Sequence, residues 1–322
     1  SEYYQYNDEQ SNPGTMYEYQ IFGVTNCADV SIYTDTLYTY GFRTPTGDIY
    51  GQVTFQTGQA EENVEVRMES DEGISGKSLV FNGSQAATIN KISFLENNTT
   101  SVTIQAWVSP DNTSGIRKIF SKPGMYELGI ADNYFYFSAG NQTITASQTI
   151  DSQFAGADFI HVTGVFSSDS LFIYVNGERT DSIACSEVIT GNANQVTLGQ
   201  NFAGAIDEVR VWDRPLTAKE IARDYNRYIT GGESGLIAYW DFNYAADTEF
   251  YDRSYKNSSY NENHGQLNGV ANYTRIPTNE QLGYKGVTGA DGSYSIRAVP
   301  YTGNGTTYTI IPRLGIHQFE PQ

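Results

Sequence analysis

The chain has 322 residues, with 19 basic and 37 acidic side chains, and so a formal net charge of −18 at pH 7. A protein this acidic repels phosphate backbones and anionic lipids, so we expect no nucleic-acid partner and no membrane-surface binding. No apolar run approaches the roughly 18 residues that a membrane-spanning helix needs. The many Gly, Tyr and Phe residues (31, 25 and 16) are typical of strands joined by turns, so the composition predicts an all-β protein.

Residues 1–46 contain two runs with strand character. Alternation places Tyr17, Tyr19 and Ile21 on one face of the first run, and residues 37–42 form the second. Two strands alone are marginal in water, so we expect this segment to need partners. The pair resembles the last two strands of a fibronectin type III domain, with Tyr17 or Tyr19 at the tyrosine-corner position.

Residues 47–72 and 277–322 contain strands of a similar kind. Their alternating runs lie at 47–55, 63–68, 292–297 and 307–310. Neither pair of runs can bury its apolar face alone, so we expect one small β-sandwich that is split by a long insertion. Gly51-x-Val53 and residues 288–294 resemble the carboxypeptidase regulatory-like (prealbumin-like) domain, a family without peptidase chemistry.

The segment between these halves, residues 73–276, carries most of the strand signals. Its alternating runs lie at 77–83, 102–108, 159–166, 170–175, 196–200 and 205–212. Asn176-Gly177 predicts a two-residue type I′ hairpin. Beyond the last run, Thr217 and Glu220 predict a capping box at the start of one short helix.

These runs resemble, in order, the LamG-like jelly-roll family, which is the concanavalin A-like sandwich in its laminin G type 3 form. The match includes residues 105–108 and, most specifically, residues 202–216 with the sequence FAGAIDEVRVWDRPL. Residues 235–242, 251–254 and 263–265 would close the domain. The resemblances together imply an all-β fold in which a concanavalin A-like jelly roll is inserted into a smaller prealbumin-like β-sandwich.

Oxygen-bearing side chains crowd one loop near the end of the jelly roll. Asp252, Asn257, Asn261, Glu262 and Asn263 are the hard ligands that Ca²⁺ prefers. LamG-like domains often carry Ca²⁺ near a sandwich rim, so the resemblance implies calcium here, with Asp252, Asn257 and Asn263 as ligands. The alternative is an Asn-rich loop whose side chains bond its own backbone in Asx-turns.

Aromatic side chains are the candidates for stacking on a sugar ring. The family pattern expects an aromatic at Trp107, Trp212 and Trp240, so core packing is the expected role of all three, with Trp107 kept as a ligand candidate. Tyr134 and Tyr136 alternate with phenylalanines in a strand, and we expect them to be surface-exposed. They are therefore the preferred ligand-binding residues.

No arrangement of catalytic side chains stands out. Glu65-x-Arg67-x-Glu69 is the nearest match to the spaced acids of concanavalin-like glycosidases, and a solvated strand face explains it better. Asp207 and Glu208 are adjacent, so we expect them on opposite faces of a strand. His161 alternates within a strand and is interpreted as a core residue. We therefore predict that the protein is not an enzyme.

The sequence predicts an extracellular or cell-surface module with neighbouring β-domains in the same longer chain. Residues 1–10 are polar and do not have the pattern of a signal peptide, so we expect a mature product or a piece of a longer protein. Cys27 and Cys185 are expected to be free thiols rather than a bridge. The leading hypothesis is non-catalytic binding of a glycan or an extracellular protein. The alternatives are a purely structural spacer and a carbohydrate-active enzyme, and all three rest mainly on fold analogy.

Overall fold

The structure is a computed structural model. It describes residues 16–27, 30–42, 46–70, 76–150, 159–243, 248–254, 263–273, 275–278, 281–301 and 306–315. Within these ranges the elements are almost all β-strands, which confirms the all-β prediction. No helix in the described part of the chain has the length and hydropathy to cross a membrane.

The N-terminal strands form two short antiparallel pairs. They are β1 (Met16–Ile21), β2 (Val24–Cys27), β3 (Val30–Tyr33) and β4 (Leu37–Phe42). β1 pairs with β4, from Met16 opposite Phe42 to Ile21 opposite Leu37, and β2 pairs with β3. Both predicted strands are therefore present, while their identity as part of a fibronectin type III domain stays a prediction.

The strands on either side of the large insertion pair with each other. They are β5 (Thr46–Gln52) and β6 (Glu65–Ser70) before it, and β23 (Tyr284–Val287), β24 (Ser293–Pro300) and β25 (Tyr308–Arg313) after it. β6 lies between β23 and β25, and β5 pairs with β24. Val64, Val66, Met68, Ile296 and Val299 form their common core. These pairings are the ones that a split sandwich requires, whereas its prealbumin-like identity and the exact domain boundaries stay predictions.

The large sandwich has two eight-stranded layers, built from the following elements. They are β7 (Ser78–Asn82), β8 (Ala87–Ile89), η1 (Ser93–Glu96), β9 (Val102–Pro110), β10 (Ile116–Lys122), β11 (Tyr126–Ala131), β12 (Tyr134–Ala139), β13 (Gln142–Thr149), β14 (Ile160–Ser167), β15 (Ser170–Val175), β16 (Glu178–Ala184), β17 (Val196–Leu198), β18 (Ala203–Trp212), α1 (Ala218–Asp224), β19 (Leu236–Trp240), β20 (Glu249–Phe250), β21 (Gly265–Gln266) and β22 (Ala271–Tyr273).

Two sheets face each other across the core. Sheet A has the order β16-β15-β14-β9-β18-β7-β22, with β19 also paired to β18, and sheet B has the order β13-β12-β11-β10-β17-β8-β21-β20. Apolar side chains from alternate positions of both sheets fill the space between them, which is the usual packing of a β-sandwich. The Cys185 thiol is free and buried in this core. The side chain of Cys27 lies outside the described residues.

The predicted local signals are present in the structure. Asn176 and Gly177 have φ values of 48° and 81°, as the type I′ hairpin between β15 and β16 requires. Thr217 caps α1, because its hydroxyl accepts from the backbone N of Glu220 at 3.2 Å. The Glu220 carboxylate accepts in return from the backbone N of Thr217 at 2.8 Å, which completes the capping box.

Gly164, in the middle of β14, leaves room for a side chain of the opposite sheet. A Cβ built on Gly164 would lie only 2.2 Å from a ring carbon of Phe137, which belongs to sheet B. We predict that Gly164→Ala lowers the free energy of unfolding by about 1–3 kcal/mol, because the well-packed core must move to admit a methyl group. Chemical denaturation measures this loss. Gly47→Ala, whose Cβ would meet nothing closer than 4.0 Å, is the control and should change stability little.

Candidate functional site

The outer face of sheet A is covered by the segment that follows β18. Side chains of the sheet and of this segment form a second buried apolar cluster, which includes Trp212, Leu216, Ile221, Ile229, Leu236 and Tyr239. Ile221 is the buried residue of α1 and holds the helix over the cluster. This part of the sheet is therefore closed to a ligand.

A buried ion pair fixes the covering segment to sheet A. Nη2 of Arg210 lies 2.6 Å from Oε2 of Glu208, and the Tyr239 hydroxyl is within 2.9 Å of both oxygens of that carboxylate. The guanidinium also donates to the backbone carbonyls of Asp224 and Arg227, at 3.1 and 2.9 Å. Burial raises the pKa of Glu208, and the positive charge of Arg210 acts in the opposite direction. Neither charged side chain is more than 1% exposed, so the pair has a structural role.

The expectation that Asp207 and Glu208 point to opposite faces is wrong. Glu208 has a φ of 51°, and the pairing of β18 with β9 shifts register between Asp207 and Arg210. A bulge of this kind inserts one residue and breaks the alternation of side chains. The Glu208 carboxylate therefore lies on the outer face, beside Arg210. Asp207 lies opposite Trp107 on the same face, and burial raises its pKa.

Trp107, a predicted ligand residue, lies where the small sandwich meets sheet A. It is only 2% exposed, and its indole N–H donates to the carbonyl of Tyr225 at 3.0 Å. The Tyr225 ring stacks on it with centroids 6.2 Å apart, and Leu282 from the small sandwich joins the same cluster. Core packing, the expected role of this tryptophan, is confirmed, and its ring faces are not available to a sugar in this conformation.

The outer face of sheet B carries a continuous line of polar side chains instead. Residues that lie directly opposite each other in antiparallel strands share a face, and the register gives one such position in every strand of the sheet. We call this line the polar row; in strand order it is Thr143, Ser138, Glu127, Ser121, Thr197, Thr88, Gln266 and Glu249. α1 and the small sandwich lie on the other sheet, so the polar row is the candidate ligand-binding surface.

Several members of the polar row hydrogen-bond to their neighbours along it. Ser138 and Thr143 bond through their hydroxyls at 2.8 Å, and Gln266 donates to Glu249 at 2.7 Å. Thr197, in the middle, differs: its hydroxyl oxygen is shielded and has no hydrogen-bond partner within the described part of the chain. The row thus combines side chains held in place by their neighbours with a central hydroxyl that is shielded from solvent.

Glu127 is the best-connected residue of the polar row. Its Oε1 accepts from the ammonium of Lys118 and, at 3.1 Å, from the hydroxyl of Ser121. Its Oε2 accepts from the hydroxyl of Tyr136 at 3.4 Å. Burial, followed by the charge of Glu127, raises the pKa of Tyr136, so this hydroxyl stays protonated and donates. These contacts hold the carboxylate in one orientation at the surface of the sheet.

Tyr134 and Tyr136 lie on the same outer face of sheet B, next to the polar row. The prediction that both are surface-exposed is wrong for Tyr136, which is only 6% exposed. Its ring lies against Gly129 of the neighbouring strand, where a Cβ would come within 2.8 Å of it. Tyr134, at the end of β12, is half-buried. The two residues are thus brought together with the row, and their role in binding stays a prediction.

Asp252 and Asn263 of the predicted calcium loop are close together, but as hydrogen-bonding partners. The amide N of Asn263 donates to Oδ2 of Asp252 at 2.8 Å, and the Ser254 hydroxyl donates to the same oxygen at 2.9 Å. Oδ1 accepts from the backbone N of Tyr239 and of Ser254, each at 2.8 Å. Burial raises the pKa of Asp252, and these hydrogen bonds oppose that effect.

This donor set does not fit a calcium ligand at Asp252. Four protein donors already occupy its two oxygens, and Asn263 presents its N–H₂ group rather than its carbonyl to the carboxylate. Asn257, together with Asn261 and Glu262, lies outside the described residues. Among the residues that are described, no three His, Cys, Asp or Glu side chains are grouped so that they could hold a metal ion.

Sequence reasoning missed the polar row because no single strand reveals it. Alternation predicted which residues of β12 face outward, but the row exists only through the register of eight strands that are far apart in sequence. Four of them, β8, β17, β20 and β21, have only two or three residues, too few for a periodic pattern.

Comparison with known proteins supports the fold assignment. The family model of Laminin_G_3, described as the concanavalin A-like lectin/glucanases superfamily, matches residues 81–222. This match agrees with the concanavalin A-like sandwich of two facing sheets, as the sequence resemblance implied. No curated protein matches the chain.

Three of the solved structures that are similar to this chain are a candidate carbohydrate-binding protein and two domains with bound oligosaccharides. A candidate carbohydrate-binding protein from Bacteroides ovatus ATCC 8483 has a TM-score of 0.52 and 14% identity, covering 84% of this chain and 91% of its own. Domain 4 of the arabinanase AbnA from Geobacillus stearothermophilus, in complex with arabinotriose, has a TM-score of 0.38 and 16% identity, covering 54% and 86%. The CBM40 of a Ruminococcus gnavus sialidase, bound to sialyllactose, has a TM-score of 0.36 and 13% identity, covering 46% and 96%. At such identities, the first similarity establishes a shared fold.

His161 makes the stability of the jelly roll depend on pH. The imidazole is buried between the rings of Trp107 and Tyr225, and burial, followed by the charge of Arg210, lowers its pKa well below 6.5. The unfolded chain takes up a proton below pH 6.5 that the folded chain does not, so this contribution to stability is lost as the pH falls.

We predict that lowering the pH from 7.5 to 5.5 reduces the free energy of unfolding of the wild type by about 1.4 kcal/mol more than it reduces that of His161→Phe. Urea denaturation at both pH values measures it. Tyr225→Phe, which alters a neighbour and keeps the imidazole, should retain the pH dependence of the wild type. An unchanged pH dependence in His161→Phe would show that the histidine does not titrate as described.

Asp252 should act as a structural hydrogen-bond acceptor. We predict that Asp252→Ala lowers the free energy of unfolding by about 3 kcal/mol, because it leaves several buried donors without an acceptor. Thermal melts in EDTA and in added Ca²⁺ should show the same loss, since the carboxylate is not expected to hold the ion. Asp35→Ala, at an exposed position, is the control. A Ca²⁺-dependent rise in melting temperature that disappears in Asp252→Ala would instead identify Asp252 as a ligand.

Proposed function

We propose that the jelly roll is a non-catalytic glycan-binding module that binds its ligand on the outer face of sheet B. The polar row is the observation that carries the proposal. Ser, Thr, Gln and Glu side chains offer both donors and acceptors, which are the groups that hydroxyl-rich ligands require. The Bacteroides protein with the same fold is described as a candidate carbohydrate-binding protein, which agrees with this role.

The distribution of carboxylates argues against glycoside hydrolysis on this face. The polar row contains two of them, Glu127 in β11 and Glu249 in β20, and five strand spacings separate these strands. At about 4.8 Å per spacing the carboxylates are about 24 Å apart. Glycosidases need their two acids within roughly 5–10 Å. The superfamily also includes glucanases, but this pair does not have the geometry of their chemistry.

The structural spacer remains the alternative, and one observation favours it. A spacer needs no exposed aromatic cluster, and Trp107, Trp212, Trp240 and Tyr136 are all buried. Glycan binding in this protein would therefore depend on hydrogen bonds more than on stacking. In either case we place the protein outside the cell or on its surface, among further β-domains.

Calcium stays a prediction for the loop that contains Asn257. Because Asp252 and Asn263 bond to each other, a bound ion would take its ligands mainly from residues outside the described part of the chain. The EDTA and Ca²⁺ melts on the wild-type protein test this directly, since an ion that binds only the folded state must raise the melting temperature.

The glycan proposal can be tested with two row residues and one matched control. Arrays of oligosaccharides identify a bound glycan, and calorimetry then measures its affinity. We predict that the double variant Thr88→Val, Gln266→Ala loses about tenfold in affinity, because two hydrogen bonds of modest energy are removed. Thr309→Val, on an exposed strand of the small sandwich, should bind as the wild type does. The proposal would be contradicted if the wild-type protein bound no glycan on the array, or if the double variant kept the full affinity.

A further inference from the structure

The polar row is long enough for a chain of sugars. It crosses all eight strands of sheet B, at one position in each. With neighbouring strands about 4.8 Å apart, its length is about 34 Å. Ser121 and the hydroxyl of Thr197, in the middle of the row, are buried, so the accessible groups lie on both sides of them. They are not gathered around one point, as recognition of a single terminal sugar would require. The row thus favours a ligand that repeats along its own length.

No member of the polar row carries a positive charge. Lys118 is the cation beside it, and the carboxylate of Glu127 neutralises that ammonium through an ion pair. Arg117, one residue earlier, donates to the carbonyl of Asn201 at 2.9 Å at the end of its strand. Glu249 adds a negative charge at the far end of the row, and the whole chain has a net charge of −18. A ligand carboxylate would therefore meet repulsion along most of the row.

From length and charge together, we infer that the ligand is an uncharged glycan chain that lies across the strands of sheet B and is selected over acidic glycans by the Lys118–Glu127 pair. This inference rests on the proposed function and adds the ligand class to it. The pair neutralises the cation beside Glu127 that could attract a uronic or sialic acid, while both side chains keep their capacity to bond neutral hydroxyls. Selectivity thus depends on the neutralisation of the Lys118 ammonium by the Glu127 carboxylate.

The test uses glycans in matched pairs. Each pair has one neutral oligosaccharide and the same backbone carrying a uronic or sialic acid, in several chain lengths. We expect the wild-type protein to bind the neutral member at least tenfold more tightly, and its affinity to rise with chain length. Equal or tighter binding of the acidic member would overturn the inference and leave the proposed function intact. Binding of no glycan at all would overturn the proposed function and this inference with it.

Two variants that change the net charge equally identify the responsible pair. Glu127→Gln leaves Lys118 without its counter-ion and should raise the affinity for the acidic glycan at least fivefold, with a gain that added salt reduces. Glu249→Gln removes one negative charge elsewhere on the row and should change that affinity less than twofold. Equal gains in both variants would show that overall charge decides selectivity and would contradict the role of the Lys118–Glu127 pair. Thermal melts establish that each variant is folded. The comparison of neutral and acidic glycans on the wild-type protein does not depend on either variant.

Discussion

The buried pair of Arg210 and Glu208 is the interaction that makes the two sides of the sandwich different. Each sheet has an outer face that must be either covered or polar. On sheet A the guanidinium of Arg210 joins the strand to the backbone of the segment that contains α1, and so the cover is held by charge as well as by apolar contacts. A buried charge without a partner is costly, so the bulge that brings Glu208 to the same face is part of this arrangement.

Because sheet A is covered, sheet B is the sheet with the open outer face. The small sandwich reaches sheet A through Tyr228 and Tyr284, whose rings lie 4.6 Å apart, and through a backbone hydrogen bond from Tyr228 to Gly283. It therefore adds to the cover and leaves sheet B with its polar row. A purely structural sheet could meet water with any polar residues. The aligned hydroxyls and the ion-paired Glu127 are a more specific arrangement, and the proposed ligand binding rests on them.

Much of the fold could be predicted from the sequence, because its signals are local. Strand alternation, the Asn176-Gly177 hairpin and the capping box at Thr217 each depend on a few neighbouring residues. The site depends on register between distant strands, and one bulge at Glu208 was enough to reverse the expected direction of a side chain. Burial of Tyr136 likewise follows from Gly129 in the neighbouring strand, where the absent side chain leaves room for the ring. These effects become visible only when the strands are placed side by side.

A surface of short polar side chains would bind a ligand through many weak hydrogen bonds. Ser and Thr lose little conformational entropy when a ligand binds, and neighbours in the row already restrain several of them. Each hydrogen bond to a ligand nevertheless adds only about 0.5–1.5 kcal/mol, because water must be displaced from both partners. Useful affinity then requires many such bonds along one ligand, whereas an aromatic platform could obtain it from a single ring. With Tyr136 buried and Tyr134 half-buried, a glycan-binding sheet of this kind would gain affinity mainly by repetition along its length, and a repeating ligand is the kind that could use it.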